Sequence, residues 1–213
     1  MLTIVVLMTV AILIFSSIFF TINRERGKEP APESEEIAEW TSFFWFCGDG
    51  NLGELNMMLC DLHYLEMVDD SHRVNMVAIL DKEGDGDTRL LEIRKNGSKE
   101  LPLTDIDPSW KENELNLGDP SPLKDFLRWG IDNYTAERYN LHLVNHGGGW
   151  RGMCWDESSD DHLTLPEIRG VCEYFKEVNG RNLDILSTEG CLVGMVEFAY
   201  ELRESCDYFV GGS

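Results

Sequence analysis

Two residues in this 213-residue chain have the types needed for nucleophilic attack on a carbonyl, and each follows a run that reads as a strand. Cys191 comes after Leu183, Ile185 and Leu186, an apolar run of the kind that fills a buried parallel strand and stops at Ser187-Thr188-Glu189-Gly190. His146 comes after Tyr139 to Val144 (YNLHLV) and before three glycines and Trp150. A cysteine nucleophile needs an imidazole nearby to take its proton and later to protonate the leaving amine. Neighbouring strands of one open α/β sheet bring their C-terminal tips together, however far apart they lie in the chain. Backbone N–H groups at Gly147 and Cys191 can then face a developing oxyanion. A helical pattern resumes at Val193, which predicts a helix N-terminus just after Cys191 that would favour thiolate over thiol. Taken singly, Cys191 also reads as a small core residue and His-Gly-Gly-Gly as a plain glycine turn. A phosphate cradle is the other reading of the glycines, but no GK[ST] follows, which excludes a Walker loop, and no GxGxxG opens a helix there.

The elements that must position these tips follow from the rest of the pattern. A first strand ends at Trp45-Phe46-Cys47 and breaks at Gly48-Asp49-Gly50, and Leu55 to Val68 has a helical rhythm. Val74 to Leu80 is a second strand, followed by DKEGDGD, which lacks the ligand spacing of a calcium hand and reads as a turn. Thr88 to Ile93 and Lys99 to Leu103 form a hairpin across Asn96-Gly97. A helix runs from Pro122 through Tyr134 behind a Ser121 cap, and another from Leu163 to Val178 with Thr164 as cap and Pro166 in the first turn. After the Cys191 strand come a helix from Val193 to Ser205 and a last strand from Tyr208 to Val210. That order predicts an α/β fold, a mostly parallel sheet flanked by helices.

Composition narrows the partners. A formal charge of -21 argues against nucleic acid, whose phosphates need a Lys/Arg surface. Six cysteines at 47, 60, 154, 172, 191 and 206 contain no CxxC pair, so neither a disulfide framework nor a zinc ribbon is indicated. Cys154, His162 and Cys172 match no metal-ligand spacing. Residues 1–22 contain no charged side chain, and at ~1.5 Å per residue they span the ~30 Å hydrocarbon core. No basic residue precedes them and no small-x-small cleavage site follows, so a single transmembrane helix is preferred over a cleaved signal that would leave the protein secreted. Arg24, Arg26 and Lys28 favour a cytoplasmic domain by the positive-inside rule, and residues 23–38 read as an acidic Pro/Glu-rich linker. The globular domain is then 39–213.

Two blocks carry a family resemblance: NHGGGWRGMCWDESSDDHLTLPEIR and STEGCLVGMVEFAYELRESCDYFVGG. They resemble the clostripain-like cysteine peptidases, a branch of the caspase-like clan, in a DHGGGW-type block, a CWDE…LTLPEL segment, a nucleophile block, an AYEL helix and a DY-x-VG strand. The resemblance runs from Trp40 to Ser213. It implies a caspase-like α/β/α sandwich and a cysteine endopeptidase that cuts after Arg or Lys, with His146 as base, Cys191 as nucleophile and an acyl-thioester intermediate. It also implies that Gly147 and Cys191 supply the oxyanion N–H groups, and that Glu189, where the family usually has Asp, selects a cationic P1 side chain. The extra methylene of Glu189 shortens that pocket. Other departures are Asn145 for the family's Asp and Gly190 for its Ala. No Lys or Arg lies between Gly152 and Ile168, which leaves Arg151 and Arg169 as the nearest sites for self-cleavage. Family members continue beyond the last strand, so the reading expects a domain truncated at its C-terminus. No cofactor is required. A calcium ion, of which the family offers an example, would sit on the oxygens of Asp156, Glu157, Ser158, Asp160 and Asp161, although an exposed turn is the preferred reading of that segment. The expected partners are a protein or peptide substrate with a basic P1 residue and, through the N-terminal helix, a membrane. The alternative is a catalytically impaired binding module tethered to the membrane.

Overall fold

The first strand explains why a parallel sheet forms. Ala38–Cys47 (β1) is apolar on both sides: Phe43, Trp45 and Cys47 fill one face of the sheet and Phe44 and Phe46 the other, all buried. Such a strand is stable only in the middle of a sheet with both faces covered. The structure is a computed structural model and describes residues 37–54, 56–68 and 73–212. The predicted membrane span 1–22 and nearly all of the predicted linker lie outside these residues. Among the described residues no helix is long and apolar enough to cross a membrane.

In chain order, β1 is followed by helices α1 (Asn51–Glu54) and α2 (Met57–Leu65), then strands β2 (Val74–Asp81), β3 (Arg89–Glu92) and β4 (Lys99–Leu101). Helix α3 (Pro120–Asn133), β5 (Ala136–Val144), β6 (Met153–Asp156) and β7 (Asp161–Leu163) come next. Helix α4 (Leu165–Asn179), β8 (Leu183–Glu189), α5 (Val196–Glu201) and β9 (Cys206–Gly211) complete the fold. The main sheet has the order β4-β3-β2-β1-β5-β8-β9. Strands β2, β1, β5, β8 and β9 are mutually parallel, while β3 and β4 add an antiparallel margin. Phe126 of α3 and Ile168, Val171 and Phe175 of α4 pack with Phe43, Trp45 and Leu141 on one face. Met58 of α2 packs with Phe44, Phe46 and Val144 on the other. The predicted mainly parallel sheet flanked by helices is therefore observed.

Several boundaries differ from expectation for local reasons. The helix expected from Pro122 begins at Pro120, and its cap is Asp119 rather than Ser121, because the Asp119 carboxylate accepts the Ser121 N–H at 2.7 Å. Thr164 caps α4 as predicted, and the Glu167 carboxylate accepts the Thr164 N–H at 2.9 Å. The expected helix from Leu55 to Val68 is reduced to Met57–Leu65, with Leu55 outside the described residues. The acidic turn at 156–161 joins a two-stranded hairpin, β6 with β7, that the residue pattern did not announce.

Helix α3 meets β1 at Gly130, where a Cβ would lie 2.1 Å from Cε1 of Phe43. The Phe43 ring cannot withdraw, since it packs edge-on against Phe126 at 5.6 Å and stacks on Tyr139 at 6.0 Å. Alanine normally stabilises a helix interior by about 1 kcal/mol over glycine. Here Gly130→Ala is expected to destabilise by about 1–3 kcal/mol through overpacking. Urea unfolding checks this, and adding Phe43→Leu to Gly130→Ala should recover part of the loss.

Candidate active site

Register alone brings the two reactive residues together. Strands β5 and β8 are parallel neighbours, with Val144 opposite Glu189, and the ladder continues as the Asn145 N–H donates to the Glu189 carbonyl at 3.2 Å. His146 and Cys191 each lie two residues beyond that pair, at the same end of the sheet. Both are exposed, and both line one cavity of about 390 Å³ together with Glu189, Gly190, Asp61 and Met58. The crossing of the two chains beyond the sheet explains the glycines. A Cβ on Gly147 would lie 2.0 Å from the Cys191 carbonyl oxygen and 2.7 Å from Cγ1 of Val193. A Cβ on Gly190 would lie 2.6 Å from the Asn145 carbonyl oxygen. Backbone touches backbone at both places, so a side chain at either would push the strand tips apart.

The predicted helix N-terminus behind Cys191 is not there. Helix α5 starts at Val196 with Met195 as its N-cap, and it ends at Glu201 instead of Ser205. Cys191 to Gly194 instead form a turn in which Leu192 has φ 62°, a left-handed conformation that is uncommon for leucine. The Gly194 N–H donates to the Gly212 carbonyl at 2.8 Å, which holds the segment against the end of β9 and delays the helix. A helix dipole fades within its first turn, so it offers nothing to a thiol four residues before the cap.

His146 has a partner that sequence reasoning missed. Its Nε2 lies 2.7 Å from Oδ1 of Asn51, the first residue of α1. An amide oxygen only accepts, so this contact assigns the proton to Nε2 and leaves Nδ1 with its lone pair. The available signal was a polar residue just after Gly48-Asp49-Gly50, at the tip of a strand next to β5. Asn145 is buried beneath the site: its amide N–H donates to the Cys47 carbonyl, and its Oδ1 accepts the Trp155 N–H at 2.9 Å. An ionised aspartate, which only accepts, could not make the first of these bonds. That bond gives Asn145 a physical rationale at a position where the family resemblance expects Asp.

Glu189 reaches the cavity with a largely exposed carboxylate, 3.5 Å from Nε2 of His142. His142 is half-buried, with Nδ1 2.7 Å from the Ser187 hydroxyl. Burial lowers its pKa, opposed by the Glu189 charge. Asp61, on α2, is the second acid of the cavity wall; burial and then the charge of Glu189 raise its pKa. Only tertiary packing puts Asp61 beside Glu189.

The proposed metal readings of the sequence fare differently. In the turn 156–161, the buried Asp156 carboxylate accepts N–H bonds from Leu117 at 2.8 Å and Ser159 at 2.9 Å. Asp161 accepts from the Asn116 amide at 2.8 Å. These acids act as structural acceptors that tie the 116–118 segment to the hairpin, which fits the turn reading, although Asp156 is buried and not exposed. Cys172 is buried in α4, while the His162 ring stacks on Trp155 at 4.8 Å. Arg169, a nearest candidate for self-cleavage, lies within α4 and pairs with Glu173 and Glu201.

Comparison with known proteins agrees with this architecture. A secreted C11 cysteine protease from Bacteroides thetaiotaomicron, solved with an irreversible peptide inhibitor, aligns with a TM-score of 0.64 at 20% identity over 81% of this chain and 48% of its own. An inactive zymogen C11 protease from Parabacteroides distasonis aligns with a TM-score of 0.64 at 19% identity, covering 82% of this chain and 48% of its own. At such identities the likeness speaks for the fold. Clostripain from Hathewaya histolytica is 31% identical over an alignment of 163 residues, and the match covers 63% of this chain and 30% of clostripain. The chain thus spans about half the length of those solved relatives and less than a third of clostripain. Because the profile of the clostripain family (peptidase C11) matches residues 44–213, by far the greater part of the sequence, the chain belongs to that family.

Proposed function

We propose that this chain carries the His/Cys centre of a cysteine endopeptidase that cuts proteins or peptides after Arg or Lys. The observation that supports it is the shared position of His146 and Cys191, two residues past one register pair on adjacent parallel strands and lining one cavity. In this reading His146 takes the thiol proton, Cys191 Sγ attacks the scissile carbonyl carbon, and the N–H groups of Gly147 and Cys191 face the oxyanion. The imidazolium then protonates the leaving amine as the C–N bond breaks, giving an acyl-thioester. Water, deprotonated by the same imidazole, hydrolyses it and frees the thiol. Thiol, imidazole and amides supply every role, so the reaction calls for no cofactor.

Glu189, assisted by Asp61, would receive the basic P1 group above the apolar side chains of Met57, Met58 and Leu52 in the same cavity. A solved relative bound to a peptide inhibitor supports a peptide substrate. A secreted relative favours export of this domain, with residues 1–22 as the export segment.

Fluorogenic Arg and Lys peptides, with an electrophilic Lys peptide as a label, test the central reading. Cys191→Ala and His146→Ala are each expected to reduce kcat/KM by about 10³-fold or more, with the label on Cys191 in the unaltered protein. Equal rates in the unaltered protein and Cys191→Ala, or no adduct, would leave a binding module. Asn51→Ala should lower kcat roughly 10-fold with little change in KM, since it orients the base without touching substrate. Asn51→Asp should move the acidic limb of the pH profile upward, because a carboxylate stabilises the imidazolium.

The His142 pKa lies below the usual value of about 6.5, so this ring charges only at lower pH. Once charged, it neutralises Glu189 and competes with the P1 cation. KM for basic peptides should therefore rise as pH falls below the ordinary histidine range and should stay flatter in His142→Gln, which steady-state kinetics across pH will read.

A further inference from the structure

Beyond Cys191 the chain leaves the cavity and builds a second surface, which the basic-residue pocket does not use. Leu192, Met195 and Trp150 do not line that cavity, yet Leu192 is 56% exposed, Met195 36% and Trp150 66%. Val196, at the start of α5, is exposed as well. The loop that follows His146 is folded against this segment. Gly149, at φ 60°, is so close that a Cβ would lie 3.0 Å from Sδ of Met195 and 3.7 Å from Cβ of Leu192. Trp150 is the next residue, inside the single 3-10 turn Gly149–Arg151. The histidine loop and the cysteine turn thus place exposed apolar side chains next to one another, directly beside the reactive pair.

The backbone of Leu192 singles it out. Among the described residues, left-handed φ outside glycine falls on Asn56, Asn96, Asn113, Asp160, Cys154 and Leu192. Asn and Asp tolerate that conformation because a short polar side chain can bond locally. Cys154 is buried in the core, whereas Leu192 is more than half exposed. A turn alone would be made at lower cost by Gly or Asn, with no apolar side chain left in water. Strain kept at an exposed position beside a nucleophile points to a use for that side chain. The direction of the chain being cut follows from the chemistry. His146 gives its proton to the leaving amine, so the residues after the cut depart beside the histidine loop. The basic side chain before the cut turns the other way, toward Glu189 and Asp61.

We propose that Leu192, Met195 and Trp150 form a shelf for the side chain just after the cut (P1′), so that the preferred substrate has Arg or Lys followed by a large apolar residue. This rests on the peptidase reading of His146 and Cys191. A Leu or Phe laid on the shelf removes apolar surface from water on both partners, which a Gly cannot do. Arg151 lies over the Trp150 ring at 5.8 Å and gives the shelf a cationic edge, opposite in sign to the acids of the cavity. A second basic residue after the cut therefore meets a like charge, and pairs of basic residues are poor sites. The shelf acts only while the leaving segment is attached. It selects at formation of the acyl-thioester and has no part in its hydrolysis, because the leaving segment has gone by then.

The test gives the full chain a set of peptides, each with a donor and quencher at its ends, that differ only in the residue after a single Arg: Leu, Phe, Gly, Asp or Arg. An arginine methyl ester, which has no residue after the cut, serves as reference, and each kcat/KM is divided by that of the ester in the same variant. Leu and Phe are expected to exceed Gly by about 10-fold, with Arg poorest. In Leu192→Asn, which suits the left-handed turn, the Leu-to-Gly ratio should fall close to one, and in Trp150→Ser it should fall in part. Loss of the fold alone would lower all peptides together and leave the ratio where it was. Single-turnover measurements should show the preference in acylation, with one deacylation rate for every peptide. A flat profile in the unaltered protein overturns the shelf, as does a preference that survives both Leu192→Asn and Trp150→Ser. Ester hydrolysis with a flat profile sinks this inference alone, whereas no hydrolysis of ester or peptide sinks the peptidase reading and the shelf with it.

Discussion

The parallel pairing of β5 with β8 carries the rest of the structure. Val144 opposite Glu189 fixes where both chains leave the sheet, and everything beyond that pair follows from the exit. A slip of one residue would turn every side chain of a strand to the opposite face, so the register is enforced by the whole core beneath it. Leu141 and Leu143 of β5 and Leu183 and Leu186 of β8 are all fully buried. The glycines at 147 and 190 act on the same constraint from above. They let two backbones approach so closely that the tips have no alternative path with a side chain in between.

Support for the site comes from its other neighbour, β1. Its last residue, Cys47, accepts a bond from Asn145, and the turn that follows supplies Asn51 to His146. Asn145 also accepts from Trp155, so one buried amide joins the tip of β1, the histidine loop and the β6–β7 hairpin. Donor and acceptor are both used, and a purely accepting side chain could not supply the donor. Below the turn, the Asp49, Asp81 and Glu114 carboxyl groups crowd together, and burial pushes the Asp81 pKa up to about 8.

Electrostatics divide the cavity into two ends. Cys191 and His146 line the part proposed to be reactive, while Glu189 and Asp61 place two acids on the wall. The His142 imidazole, held mostly neutral by burial, leaves the Glu189 charge largely uncompensated near neutral pH. In the proposed function, an acidic wall beside an apolar surface would receive a long side chain with a cationic end, because the stem and the head then meet different surroundings.

The succession of the main strands and helices along the chain, the mostly parallel sheet and the placing of His146 and Cys191 at strand ends were all legible in the sequence. Apolar runs bounded by Gly, Asn and Asp are local signals, and burial on both faces writes them directly into residue order. The Thr164 cap and the Asn96-Gly97 hairpin were legible for the same reason, since each depends on residues only a few positions apart. The length of α5 was not. Its pattern looks helical from Val193, but the pairing of Gly194 with Gly212 decides otherwise. Asn51, Asp61, His142 and the buried carboxylates were equally hidden, because each acquires its meaning from a partner distant in the chain. Sequence records what a residue prefers within its own turn or strand, whereas hydrogen bonding and charge act through space, and only the folded sheet determines which groups share that space.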